Sequence, residues 1–289
     1  HLDLTSILQK NYGSAGSDEI DDVFFDTTRA AQEAIATQAV ALTVDAPMTF
    51  GGARAATLPL TVRLENLSGH KLPTGYSEGR VMWIEVEGLL NGETVFGSGR
   101  WRDNAIEADE QVRRYEGIAE RLSDGRRNHL LLNDHWRLDT RIPPKGLTPD
   151  PETDPITDRY ALTSDGYWSS VDTVAYEFAL SDETQALLDE AVAAGQPATV
   201  EVHVRVRYLI NTPAYLAQLL EDNVTNLEGE RLATAYAEIG GPQPVTLAAW
   251  SALVGYTGSD EPSGAGESED QGCGCHAVSA STRGSRGGG

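Results

Sequence analysis

Cysteine is almost absent from this chain. Of its 289 residues only Cys273 and Cys275 are cysteines, and both lie near the C-terminal end. Everything before them has no disulfide, no thiolate metal site and no cysteine nucleophile. No Cys-x-x-Cys-His occurs, so this stretch attaches no c-type haem covalently. Long apolar runs are missing too, and none reaches the roughly 18 residues that a bilayer-spanning helix needs. Basic residues are scarce: 22 Lys and Arg stand against 44 Asp and Glu, a formal charge of −22. Such a surface repels phosphate backbones and argues against nucleic acid as a partner. A solvated acidic shell accounts for it, and also suits cations or a basic partner. A Gly-rich phosphate loop, Gly-x-Ser-x-Gly, His-Glu-x-x-His and an EF-hand loop are all lacking.

The rest of the composition is that of a globular protein, with 40% hydrophobic and 23% charged residues, long enough for one or two domains. Residues 1–16 read as an irregular lead-in. Ser17 is a candidate cap for a helix over about 18–39, whose first turns are crowded with Asp18, Glu19, Asp21 and Asp22. Ile20, Val23, Phe24, Thr27, Ala31, Ala34, Ile35 and Ala39 recur at helical spacing and predict a stripe laid on an apolar surface.

The period then changes to two. Leu58, Leu60, Val62 and Leu64 alternate with polar residues, and Met82, Ile84 and Val86 alternate with Trp83, Glu85 and Glu87. Asn91-Gly92 predicts a hairpin into Thr94-Val95-Phe96. Val174, Tyr176, Phe178 and Leu180 share one face, as do Val200, Val202, Val204, Val206 and Tyr208. Half-buried strands of this kind predict a mainly β fold, an antiparallel β-sandwich of Ig-like or jelly-roll-like type over 41–254. Two inserted helices interrupt it. Ser181 caps one, with Leu187, Leu188, Ala191 and Val192 as its stripe and Gly195 at its end. Thr212-Pro213 starts the other, with Tyr215, Leu216, Leu219 and Leu220 facing inward. Pro143 to Asp158, rich in proline and acid, reads as a long exposed loop. Residues 255–289 read as a disordered acidic Gly/Ser linker.

Few residues suggest chemistry. His203 falls on the polar face of its strand. His129 and His135 would share a face of one strand and would need a third metal ligand, such as Asp134. Residues 148–158 hold many carboxylates but no Ca²⁺-ligand spacing. The loop 66–75, Asn-Leu-Ser-Gly-His-Lys-Leu-Pro-Thr-Gly, is more informative. Gly69 and Gly75 permit unusual backbone angles, and Pro73 fixes its own φ and keeps Leu72 extended. A loop so constrained holds His70 in a defined place. Its imidazole either bonds nearby backbone or is presented to a metal or a haem iron.

That loop, with Asn66, Gly69, His70, Lys71, Pro73, Thr74 and Gly75, followed by Arg80 and Trp83, resembles the C-terminal β-rich module of bacterial multihaem c-type cytochromes. Asp139 to Gly146, with Arg141, Pro143 and Pro144, resembles a second segment of that family. Residues 173–178 and 204–208, with Tyr215 and Leu219, fit its later strands, and the resemblance runs in order over about 20–225. It implies haem c in a region preceding this chain, with His1 as its last residue and 1–40 as the junction. It also implies an upstream haem domain or redox partner. The role would be accessory to electron transfer or docking, not catalytic; what carries over is the loop around His70, with a haem or metal, a partner, or its own backbone as the open alternatives for the imidazole. No signal peptide is visible in the residues present.

Gly272-Cys273-Gly274-Cys275 after an acidic linker resembles the Cys-Gly-Cys sorting signal of myxobacterial surface proteins. This implies an extracytoplasmic chain at the cell surface or outer membrane, anchored through its tail by Cys273 and Cys275. A coil of about 17 residues would hold the domain roughly 20–25 Å from the anchor. Two other readings remain at this stage. If His1 is a mature N-terminus, its amine and imidazole with His70 form a copper site of the histidine-brace kind, in a monooxygenase. Alternatively the domain is a surface adhesin, with Trp101, Trp136, Tyr167 and Trp168 as ligand-binding faces.

Overall fold

The structure, a computed structural model, describes residues 2–52, 56–76, 78–127 and 132–259. In chain order the elements are α1 (Leu2–Tyr12), α2 (Asp22–Ala36), β1 (Val40–Asp45), β2 (Thr49–Phe50), β3 (Thr57–Asn66), β4 (Val81–Leu90) and β5 (Glu93–Ser98). There follow β6 (Trp101–Arg102), β7 (Ala105–Ile106), β8 (Arg114–Tyr115), β9 (Gly117–Glu120), β10 (His135–Asp139) and β11 (Val171–Ala179). The chain closes with α3 (Asp182–Ala193), β12 (Thr199–Leu209), α4 (Pro213–Asp222), α5 (Glu228–Glu238) and β13 (Val245–Tyr256).

The fold is mainly β and sandwich-like. Strands β9–β10 and β6–β7 form two short antiparallel ribbons. Of the two larger sheets, one runs β1-β3-β11 and the other β2-β13-β12-β4-β5, with β8 added on β4 and β2 parallel to β13. Strand alternation sets which side chains meet between them. Leu58, Leu60, Val62 and Leu64 of β3 face Met82, Ile84 and Val86 of β4 and the even-numbered valines of β12, all fully buried in one core. The expected hairpin is present: Asn91 and Gly92 both take positive φ, the conformation a two-residue turn requires, and β4 pairs β5 across it.

Several expectations are corrected. Residues 1–16 are not irregular, because α1 occupies Leu2–Tyr12. The second helix starts later than its acidic prelude suggests. Asp21, not Ser17, caps it, its carboxylate accepting from the Val23 N–H. Its apolar stripe does not face the domain: Val23, Phe24 and Ile35 are exposed, and Phe25 is the buried residue of the helix. The stripe drawn on α3 is half right, since Leu188 is buried while Leu187 and Val192 are exposed. The inward residues of α4 are at most half-buried. A third helix, α5, follows these two. The linker begins later than residue 255: Gly255 and Tyr256 still belong to β13, paired with β12 and β2. Strand β4 is buried on both sides, so Trp83 is not on a polar face. Its indole N–H donates to the Gly99 carbonyl at 2.7 Å and its ring packs on Trp101.

A buried ion pair ties the two sheets. Asp172 of β11 is 3% exposed. Arg113, next to β8, holds it through Nε at 2.8 Å and Nη2 at 2.7 Å, and the Tyr115 hydroxyl donates to it at 2.7 Å. Burial alone would lower the Arg113 pKa, but the Asp172 hydrogen bonds and charge outweigh it and raise it. Burial, reinforced by the Asp172 charge, pushes the Tyr115 hydroxyl well above its ordinary range.

Candidate functional site

The loop that follows β3 is built from its own side chains. Asn66, the last residue of β3, is buried, and its amide Nδ2 donates to the His70 carbonyl at 2.7 Å and the Ile142 carbonyl at 2.8 Å. Its Oδ1 accepts from the Ser68 N–H and hydroxyl, both at 2.8 Å. One side chain thus closes the turn and anchors it to a segment some 76 residues away in sequence. Leu72 and Ile142 then exchange a pair of backbone hydrogen bonds at 2.9 Å, and both side chains are buried. The Leu72–Pro73 peptide is cis.

The two segments singled out in the sequence, 66–75 and 139–146, are therefore one structural unit. Charge completes it. The Lys71 ammonium lies 2.7 Å from Asp139 Oδ2. Arg141 grips the same carboxylate with Nε at 2.8 Å and Nη2 at 2.7 Å, and lies over the Trp136 ring at 5.4 Å. Burial alone would raise the Asp139 pKa, but the Arg141 and Lys71 hydrogen bonds and charges outweigh it and hold it below the usual range.

A depressed carboxylate stabilises the fold above its unfolded pKa of about 3.9. That contribution is lost as pH falls through the lower folded value. The urea midpoint is accordingly expected to drop on acidification below about pH 4. Asp139→Asn should be less stable at neutral pH and show a flatter acid limb. An acid limb identical to the wild type would remove Asp139 from this role.

Above this unit lies an open cleft of about 620 Å³, walled by His70, Lys71, Thr74, Trp136, Arg141 and Asp154. The segment expected to be a long exposed loop forms its far wall. Ile156 pairs with Asp139 through the backbone, and Asp154 Oδ1 accepts from the Trp168 indole at 2.7 Å and the Asp150 N–H at 2.8 Å. These carboxylates serve the loop's own turns. Pro143 is buried, and Pro144 lines the cleft.

His70 is exposed, and its imidazole has no hydrogen-bond partner among the described residues; the residue's contacts run through its backbone. The reading in which the imidazole braces the loop is corrected: the Asn66 amide does so. Gly69 is also reassigned. It does not have a positive φ, and a Cβ there would meet nothing. Gly75 has φ +83°, and a Cβ would overlap the Arg80 guanidinium, which donates to the Thr74 carbonyl.

The other candidates scatter. His203 pairs with Glu201 at 3.0 Å on the outer face of β12. His135 is exposed at the start of β10, and Asp134 accepts from the Leu122 N–H. Trp101 lies by Trp83, on a different cleft from Trp136, so the four aromatics present no single face. His1, His129, Cys273 and Cys275 lie outside the described residues. Among the described residues no group of three or more His, Cys, Asp or Glu side chains is placed to hold a metal ion. No described helix is long and apolar enough to cross a membrane. The Asp172 pair escaped the sequence reading, although Asp172 is in phase with Val174, Tyr176 and Phe178 on the buried face of β11.

No protein-family profile and no curated protein matches the chain. Among solved structures, a penta-haem cytochrome c552 from Thermochromatium tepidum is similar at a TM-score of 0.43 and 12% identity. The likeness covers 77% of this chain and 41% of that one. At that level it carries no argument for fold or function.

Proposed function

We propose that this chain is a non-catalytic, extracytoplasmic β-sandwich module of a surface-anchored protein related to multihaem cytochromes. It supports electron transfer or partner docking, while haem c sits in a region preceding His1. Cys273 and Cys275 anchor the tail to the membrane. The observation that favours this reading is the joining of residues 66–75 and 139–146. The two stretches whose sequence resembles that family, far apart in the chain, interlock through Asn66, Leu72–Ile142 and Lys71–Asp139–Arg141. The unit they form presents an exposed, unbonded imidazole at the rim of a cleft, which is what a ligand to an external iron or a contact to a redox partner requires.

The test uses the full-length polypeptide, read from the gene upstream of His1 and made in a host that attaches c-type haem. Haem is expected on the same polypeptide. His70→Ala should shift a haem potential or electron-paramagnetic-resonance signal while leaving stability within about 0.5 kcal/mol, as for an exposed side chain. A full-length protein without haem would overturn the reading. Haem with unmoved signals in the variant would strike out His70 and leave the platform as a docking element only.

A further inference from the structure

Helix α2 is mounted inside out. Its polar side turns toward α1: Arg29 Nη2 donates to Gln9 Oε1 of α1 at 2.6 Å, and Gln32 Oε1 accepts from the Thr5 hydroxyl at 3.3 Å. Phe25 is buried beside them. At 100° per residue, Val23, Phe24, Thr27, Ala30, Ala31, Ala34 and Ile35 fall within an arc of about 140°. All seven are exposed, and the arc holds no charge. Val23 is 61% exposed, Phe24 70% and Ile35 73%. The same inversion recurs on α1, where Leu4, Leu8 and Tyr12, spaced by four, are exposed while Asp3 and Thr5 are buried. A soluble domain rarely leaves such a face uncovered unless another surface covers it.

The charge along the edge of this face says what kind. Asp22, Asp26 and Glu33 line one side of the α2 stripe; Arg29, the helix's one cation, pairs with Asp26 at 3.1 Å, so Asp22 and Glu33 leave that edge net negative. A second copy would bring the same acidic edge and another −22 charges, and an anionic bilayer would be repelled as well. We infer that the outer face of α2 docks a partner protein through a helix that is apolar along one side and bordered by lysine or arginine. The packing would be helix on helix, with the partner's basic border against Asp22 and Glu33. This inference does not depend on the haem reading.

The test titrates the full chain with two designed amphipathic peptides of one pattern, leucine–lysine and leucine–glutamate, by calorimetry at moderate salt. The leucine–lysine peptide is expected to bind and the leucine–glutamate peptide not to. Phe24→Gln combined with Ile35→Gln removes apolar surface without changing charge. It should weaken binding at least about tenfold and leave the melting temperature in place. Failure of the leucine–lysine peptide to bind, or equal binding to the double variant, would overturn the inference. So would sedimentation as a dimer that the double variant dissolves, which would make a second copy the occupant, or flotation of the wild type with anionic phosphatidylglycerol vesicles.

Discussion

Asp172→Ala is expected to cost about 3 kcal/mol of stability, the low end of the roughly 3–5 kcal/mol range for breaking a buried ion pair. The low end applies because the Arg113 side chain keeps 23% of its exposure and water can reach part of its charge. What remains after the deletion is a guanidinium without its counter-ion and a fully buried Tyr115 hydroxyl without its acceptor. Arg159 stands over the Tyr115 ring at 6.0 Å, so a second cation borders the vacated site. Against a typical stability of about 5–15 kcal/mol this is a large fraction. The measurement is a urea transition whose midpoint falls while its slope stays constant. Replacing the trio by Asp172→Leu, Arg113→Met and Tyr115→Phe should recover much of the loss, because apolar packing then stands where charges were desolvated. A loss under about 1 kcal/mol for Asp172→Ala would show that the tie between the sheets is dispensable.

How much of this was legible in the sequence depends on the range of the interaction. Asn91-Gly92 announced its hairpin because the signal is local: two adjacent residues must both adopt positive φ. The alternation in β3 and β12 announced buried faces for the same reason. Helix α2 shows where such logic stops. Its periodicity correctly gives an amphipathic helix, but periodicity does not say which side meets the domain. That is settled by Gln9 and Thr5 of α1, in a stretch read as irregular. Strand β13 escaped a separate reading, and with it Gly255 and Tyr256, because its residues alternate weakly and acquire their partners only from β12 and β2. In the site, the sequence pointed to both segments but not to their union. Asn66 looked like one member of a turn, and nothing local reveals that its amide reaches Ile142.

That reach makes Asn66→Ala the second large effect, at about 2–4 kcal/mol. The deletion removes four hydrogen bonds from a buried side chain. Each net bond contributes about 0.5–1.5 kcal/mol. The partners do not lose equally. Ile142 O still accepts from Leu72 N, and His70 O still accepts from the Ser68 hydroxyl at 2.9 Å. The Ser68 N–H loses its acceptor outright, and the link between the turn and the 139–146 segment then rests on Leu72–Ile142 and the Lys71–Asp139 ion pair. Asn66→Asp separates packing from bonding. It keeps the shape and the acceptor for Ser68 but replaces the donor by a carboxylate oxygen facing two carbonyls. It should therefore be at least as damaging as alanine at neutral pH and should recover on acidification, as the carboxyl gains a proton to donate. Hydrogen exchange supplies the local readout. The Leu72 and Ile142 amides, paired with each other's carbonyls, are expected to lose protection in both variants beyond the global loss of stability, while β12 amides change only with the global stability. Uniform loss across the chain would mean that Asn66 stabilises the sandwich as a whole and not the unit that presents His70.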